Sequence, residues 1–227
     1  TMRTLNTLLA IQTSSFVNML IFYLGKIPLL RRMITNRLYT NRELKKALAI
    51  IVRVVLIGGG ALLSVAYVGF MIYIPIMGFG KTLPKEDQLQ QFYHLFFMLS
   101  FVVSGVSNAT ILNPKRSKYI AVKLMRMSPS RYMRSTLSYK YVTFFLYSLL
   151  AVLVFGQLLG GSVLQLGLLA LLAVMWRILC EYVHLKIFEQ TERILVKQNG
   201  IVWLVIGIGF AAAYLPAAFE MVPATGS

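Results

Sequence analysis

Two apolar stretches on either side of a short glycine turn decide the fold of this chain. Residues 139–159 read YKYVTFFLYSLLAVLVFGQLL, Gly160-Gly161-Ser162 follows, and residues 163–185 read VLQLGLLALLAVMWRILCEYVHL. Each stretch is long enough to cross a membrane as a helix, for which about 20 residues suffice. Because the turn is too short to form a domain, we predict two membrane-spanning helices joined as a hairpin.

Three further stretches have the same apolar character, namely residues 47–80, 92–113 and 200–219. Of the 227 residues, 58% are hydrophobic and only 13% are charged, which is too apolar for the surface of a water-soluble domain. The predicted fold class is therefore all-α: a polytopic helical membrane protein with about five transmembrane helices in residues 47–222. The residues before them are expected to form a separate region.

Residues 1–46 combine an amphipathic pattern with a basic linker. Between residues 4 and 34, apolar side chains recur at near-helical spacing, which predicts an amphipathic helix. We expect this helix to lie in the membrane interface, and the alternatives are a re-entrant or a spanning helix. The linker that follows is basic, and its charged residues are Arg31, Arg32, Arg37, Arg42, Glu43, Lys45 and Lys46.

The distribution of charge predicts which membrane face each connection occupies. The chain has 23 Lys and Arg against 7 Asp and Glu, and these basic residues fall in blocks between the apolar stretches. Nucleic-acid binding would need them spread over a polar surface, so we expect no nucleic-acid partner. Residues 114–138 are basic and contain no acid. Because cytoplasmic loops retain Lys and Arg, we predict cytoplasmic basic loops that contact anionic lipids in a cell membrane.

The basic connection at residues 114–138 also has a helical pattern. Ile120, Leu124 and Met127 recur at i, i+4 and i+7, which indicates a short amphipathic helix. Ser128-Pro129 is typical of a helix start, so a second helix is expected to run from there into the third span. The connection is therefore either an ordered docking element or a loop whose charges only bind anionic lipid.

Residues 118–127, KYIAVKLMRM, followed by Tyr132, resemble the segment after the second span in ABC-2-type exporter permeases of Gram-positive bacteria. In that family the segment is a coupling helix that inserts into a cytoplasmic ABC ATPase subunit. The order of parts is also similar, although such permeases have one more span per half. The resemblance implies an ATPase partner that binds ATP and Mg²⁺, and a second permease copy or half. The residues expected to couple to the ATPase are Lys118, Tyr119, Ile120, Lys123, Leu124, Arg126, Met127 and Arg131.

A polar group interrupts the fourth span. Arg177 and Glu181 lie one helical turn apart, and His184 lies nearly one turn further on. A charge in hydrocarbon costs at least about 2.5 to 3.5 kcal/mol, so such side chains face a partner or water. The pair is either a polar lining or latch between helices, or a local ion pair near the cytoplasmic interface. Trp176 and Lys186 nearby favour the second interpretation.

Small residues within the spans predict close contacts between helices. We expect such packing at Gly58, Gly59, Gly60, Gly207 and Gly209. Gly80-Lys81-Thr82 is similar to the end of a phosphate-binding loop, but Pro75 occupies the position of its first glycine, so we interpret the match as chance. One cysteine and two histidines leave no plausible metal cluster, and we expect no cofactor or catalytic residue in this chain.

Three classes of function remain open. The leading prediction is a permease subunit of an ATP-driven exporter, which moves a peptide, lipid or drug-like substrate by alternating access. A membrane enzyme would need an acid–base pair or a metal cluster near the bilayer, and only Glu181 among seven acids falls within a predicted span. The third class is a non-catalytic assembly, immunity or scaffold protein that binds partner helices through its glycine-rich faces.

Overall fold

A computed structural model of the chain describes residues 17–19, 42–79, 83–107, 112, 116–124 and 126–219. Its α-helices are α1 (Arg42–Val68), α2 (Ile74–Phe79), α3 (Lys85–Val106), α4 (Arg116–Tyr119), α5 (Pro129–Leu158), α6 (Val163–Thr191) and α7 (Asn199–Ala218). The π-helical turns Gly69–Tyr73 and Ile120–Leu124 continue α1 and α4, and a 3₁₀ turn, Leu195–Lys197, precedes α7. Except for residues 17–19, which are helical, the predicted interfacial helix lies outside the described residues.

Five helical stretches in the described part of the chain are long and apolar enough to cross a membrane. They are Ala47–Gly78, Lys85–Val106, Pro129–Leu158, Val163–Thr191 and Asn199–Pro216. Large apolar side chains such as Leu63, Phe70, Leu164 and Trp203 are exposed on them. Soluble proteins rarely expose contiguous apolar surface of this extent, so lipid must be the surrounding solvent. The predicted all-α, multi-pass membrane fold is therefore confirmed.

The ends of three predicted spans differ from the observed helices. The sequence predicts the second span at residues 92–113, but α3 begins at Lys85 and ends at Val106. Glu86 and Asp87 occupy its first turn, where carboxylates are favourable beside the partial positive charge of a helix N-terminus. Helix α5 begins ten residues before the predicted span, and α6 continues six residues beyond it, because polar residues extend these helices past the hydrocarbon.

The chain divides into two compact units, one formed by Thr1–Gly60 with Lys115–Tyr139 and the other by Ala61–Pro114 with Lys140–Ser227. In the larger unit, all five spans contribute buried residues to one apolar core, among them Ile72, Phe92, Val152, Leu166 and Ala213. Helix α3 is central. Of the 18 residues in its most apolar stretch 39% are buried, whereas the corresponding share is 22% in α5 and in α6 and 6% in α7.

A proline in the first span is compensated by a residue from the last span. Pro75 has no N–H with which to bond the carbonyl of Met71, four residues earlier. The preceding residues widen into the π turn Gly69–Tyr73. The hydroxyl of Tyr214 on α7 donates a hydrogen bond to the Met71 carbonyl. Proline is tolerated within a span when a neighbouring helix satisfies the freed backbone group in this way.

The predicted hairpin is formed by α5 and α6, and glycines close it. A Cβ added to Gly156 would lie 2.3 Å from Cδ2 of Leu166, so the two helices approach closely there. The N–H of Gly161 donates to the carbonyl of Gly156 at 2.8 Å. Gly160 has a φ of +85°, a conformation that side chains other than glycine rarely adopt. The turn therefore depends on its glycines.

The sequence also predicts close helix contacts at five glycines outside the turn. Of these five, Gly209 makes such a contact. A Cβ there would lie 2.1 Å from Cγ2 of Val102, so α7 and α3 are in close contact. Among the described atoms, none lies within 4 Å of a Cβ built on Gly58, Gly59 or Gly207. The expected contacts at these three positions are therefore not formed within the described chain, because all three face outward. At Gly60 the contact stays a prediction.

Candidate functional site

A buried ionic cluster connects α5 with α6. The Glu181 side chain on α6 is only 4% exposed. Its Oε2 accepts a hydrogen bond from the Tyr141 hydroxyl at 2.9 Å and another from Lys140 Nζ at 3.2 Å. Arg177, one turn earlier on α6, is close enough to interact electrostatically with Glu181. Two donors from α5 and a nearby cation of α6 therefore surround one carboxylate, which offsets the cost of burying its charge. We call Lys140, Tyr141, Arg177 and Glu181 the ionic cluster.

The ionic cluster lies at the end of the hairpin away from the turn. Lys140 precedes Leu158 by 18 residues, and Glu181 follows Val163 by 18 residues. With a rise of about 1.5 Å per residue, both lie about 27 Å from the turn end of their helices. This distance places them near the opposite edge of a hydrocarbon layer about 30 Å thick. The two interpretations of Arg177 and Glu181 therefore combine, since the cluster links two helices and also lies near an interface.

Two polar atoms on α6, at about the level of the ionic cluster, have no hydrogen-bond partner among the described residues. They are Nδ1 of His184 and Nε1 of Trp176, and both are buried. The His184 ring lies close enough to the backbone of Gly105, at the end of α3, to interact with it electrostatically. A buried donor or acceptor without a partner costs about 1 to 3 kcal/mol. This end of the hairpin therefore also involves a third helix, α3.

Sequence reasoning identified Arg177 and Glu181 but missed Lys140 and Tyr141. Lys140 lies two residues after the basic connection, and the sequence does not separate its charge from the basic residues that precede it. The sequence does contain a signal that pairs Lys140 with Glu181. Positions 140 and 181 are equidistant from the turn at Gly160-Gly161. In an antiparallel helical hairpin with a short loop, residues equidistant from the turn lie side by side.

The basic connection forms a helix, a bend and a second helix within the smaller unit, and we call residues 116–139 the basic element. Its first helix ends with the π turn Ile120–Leu124, and α5 begins at Pro129 as predicted. The Met127 N–H donates to the Ala121 carbonyl at 3.0 Å, which closes the bend. Ala121 and Tyr132 are buried against each other. The basic element is therefore ordered and has a small core of its own.

The packed face of the first helix agrees only in part with the predicted one. The sequence predicts Ile120, Leu124 and Met127 on one face, and the structure buries Ala121 fully and packs Met127 against the same small core. Ile120 is half-buried, and the side chain of Leu124 lies outside the described residues. A π turn forms i→i+5 hydrogen bonds, so side chains within it depart from an α-helical pattern.

The residues predicted to couple to an ATPase are mostly accessible on this element. Tyr119 is 61% exposed, and Lys123, Arg126 and Arg131 are also exposed. The partly buried members of the set are Lys118, Ile120 and Met127. Arg126 has a φ of 51°, in the left-handed region that residues other than glycine seldom occupy. The bend thus presents an aromatic side chain and several cations on a fixed backbone.

Among the described residues there is no group of three or more His, Cys, Asp and Glu side chains that could hold a metal ion. Comparisons of the chain with protein-family models, curated proteins and solved structures find no match. Function must therefore be argued from the ionic cluster and the basic element themselves.

Proposed function

We propose that this chain is the transmembrane permease subunit of an ATP-driven exporter in a bacterial cell membrane. It moves a peptide, lipid or drug-like substrate by alternating access. The observation that carries the proposal is the ordered backbone of the basic element. A loop that only fixed topology or attracted lipid would need neither a buried core at Ala121 and Tyr132 nor a closed bend.

In this proposal the basic element is cytoplasmic and docks on a separate ABC ATPase. Its exposed Tyr119 enters an apolar site on the partner, and Lys123, Arg126 and Arg131 meet acidic groups around that site. The ATPase binds ATP and Mg²⁺, and a second permease copy or half completes the transport path. Anionic lipids neutralise the remaining cations of the loops.

The basic element can pass movement to the spans because it shares a helix with them. Helix α5 is continuous from Pro129 to Leu158, so it contains Arg131 at the docking surface as well as Lys140 and Tyr141 of the ionic cluster. A displacement at the ATPase therefore acts on the contact between α5 and Glu181 of α6. We assign the ionic cluster the role of a latch whose breaking and closing accompanies the change of access.

Affinity purification from native membranes tests the docking surface. The unaltered chain should recover a polypeptide with a complete phosphate-binding loop, identified by mass spectrometry. The combined change Tyr119→Ala and Arg126→Glu should lower its recovery about tenfold or more, because it removes the aromatic contact and reverses a charge. Lys197→Glu is the matched control, since Lys197 is exposed and, by the alternation of spans, lies at the same membrane face.

Recovery of no such ATPase, or equal recovery with the Tyr119 and Arg126 variant, would count against the proposal. Capture of another membrane protein in place of an ATPase would favour the alternative of a non-catalytic assembly, immunity or scaffold protein. The outward face of α7 around Gly207 is the surface that such a partner helix would use, because no described atom fills it.

A further inference from the structure

Helix α6 carries an apolar groove on the side opposite the ionic cluster. The groove has a volume of about 660 Å³, and it is lined by Phe97 of α3 and by Leu172, Met175, Trp176, Ile178, Leu179 and Tyr182 of α6. Met175, Ile178 and Tyr182 in its wall are exposed, so the groove is open to the surroundings. Because these residues belong to membrane spans, the groove opens to lipid.

The groove has the depth of one leaflet. Leu172 follows Val163 by 9 residues and Tyr182 follows it by 19 residues, which places them about 14 Å and 29 Å from the turn end of α6. The groove therefore occupies the half of a hydrocarbon layer about 30 Å thick that lies away from the turn. It ends at the level where the headgroups of that leaflet begin.

The dimensions of the groove suit a hydrocarbon chain. Its volume of about 660 Å³ extends over a length of about 15 Å along α6, and its walls are apolar. An unbranched acyl chain therefore fits along it, and the groups at its headgroup end determine which lipid it prefers.

A cation and an anion lie side by side just beyond the groove. Lys186 and Glu189 are one and two turns past Tyr182 on the same face of α6, and Lys186 Nζ lies 2.8 Å from Glu189 Oε2. Both side chains are exposed, so water and headgroups reach them. Lys186 follows Val163 by 23 residues, which places it about 35 Å from the turn end, outside the hydrocarbon.

We propose that the groove binds one phospholipid whose headgroup carries both a phosphate and a primary ammonium group. An acyl chain fills the groove, the phosphate accepts a hydrogen bond from Lys186, and the ammonium donates one to Glu189. An exposed ion pair is weak, so the headgroup can replace it without a large penalty. An anionic lipid that lacks the amine satisfies Lys186 alone and is repelled by Glu189. This site is independent of the proposed transport function.

The two tryptophans of the chain allow a direct test. Trp176 lines the groove, whereas Trp203 is 71% exposed on α7. The variant Trp203→Phe leaves Trp176 as the fluorophore, and Trp176→Phe leaves Trp203 as the control for bulk lipid. Each variant is reconstituted into vesicles of phosphatidylethanolamine and phosphatidylglycerol, in which one lipid or the other carries brominated, fluorescence-quenching acyl chains.

At equal mole fraction, we expect brominated phosphatidylethanolamine to quench Trp176 with a relative binding constant at least about threefold higher than that of brominated phosphatidylglycerol. Trp203 should be quenched equally by both. The double change Lys186→Gln and Glu189→Gln should abolish the preference at Trp176, whereas Lys197→Gln should leave it unchanged. Equal quenching of Trp176 by both lipids, a preference for phosphatidylglycerol, or a preference that survives the double change would overturn the proposal.

Discussion

The two ends of the α5–α6 hairpin are held together by different interactions. At the turn end, Gly156 allows the buried side chain of Leu166 to approach α5 closely, and the contact is apolar. At the other end, Glu181 bonds to Lys140 and Tyr141, near the edge of the hydrocarbon. The apolar contact depends on the close fit of Leu166 against Gly156, which lipid chains do not reproduce, whereas charges near an interface can exchange their partners for water or headgroups. We therefore expect the ionic end, rather than the turn end, to open.

The largest effect is expected at the ionic end. Glu181→Leu should lower the free energy of unfolding by about 3 to 5 kcal/mol, because it leaves partly buried cations without their carboxylate. Denaturant titration of the protein in detergent micelles measures this loss. Glu189→Leu on the same helix is the control and should change it by less than about 1 kcal/mol, because its pair is exposed. Equal losses in the two variants would show that the ionic cluster does not hold the helices together.

A smaller effect is expected at the turn end. Gly156→Ala should lower the free energy of unfolding by about 1 to 3 kcal/mol, because the new methyl group overlaps Leu166 in the core. Gly167→Ala on α6 is the matched control, since no described atom lies within 4 Å of its Cβ position. It should be neutral or stabilise by up to about 1 kcal/mol through helix propensity. If both alanine variants were equally stable, the turn end would not be closely packed.

The smallest effect is expected for a single hydrogen bond of the cluster. Tyr141→Phe should lower the free energy of unfolding by about 1 kcal/mol, as is usual for one hydrogen bond between spans. Tyr139→Phe, at an exposed position, should have no measurable effect. In a double-mutant cycle, the loss caused by Tyr141→Phe should disappear once Glu181 is leucine. A loss that persists in the Glu181→Leu background would place the role of the Tyr141 hydroxyl elsewhere.

The hairpin was predictable because its signals are local. Two apolar stretches and Gly160-Gly161 define it without knowledge of any distant residue. The π turn at Ile120–Leu124 was not predictable, since neither glycine nor proline marks it. The N-terminal turn of α3 was missed for a related reason, because Glu86 and Asp87 are typical of loops as well as of helix starts.

Side-chain partners were harder to predict than helices. Helix α7 is apolar on all sides, so its sequence could not show that Gly209 meets Val102 while Gly207, two residues away, faces outward. Likewise, the hydropathy of the third span does not distinguish Lys140 from the basic residues that precede it. Only the geometry of the hairpin assigns Lys140 to Glu181. The fold could thus be predicted from composition and turns, whereas the ionic cluster required the pairing of two helices.

The hydrogen bond from Tyr214 to the Met71 carbonyl has a consequence for the order of biosynthesis. The two residues are 143 positions apart in the chain. At roughly 5 to 20 residues per second, the ribosome needs roughly 7 to 29 s to reach Tyr214 after Met71 has been made. During that interval the carbonyl exposed by Pro75 has to rely on water or a temporary neighbour. The span that contains Pro75 therefore acquires the hydrogen-bond partner of its Met71 carbonyl only after α7 has been made.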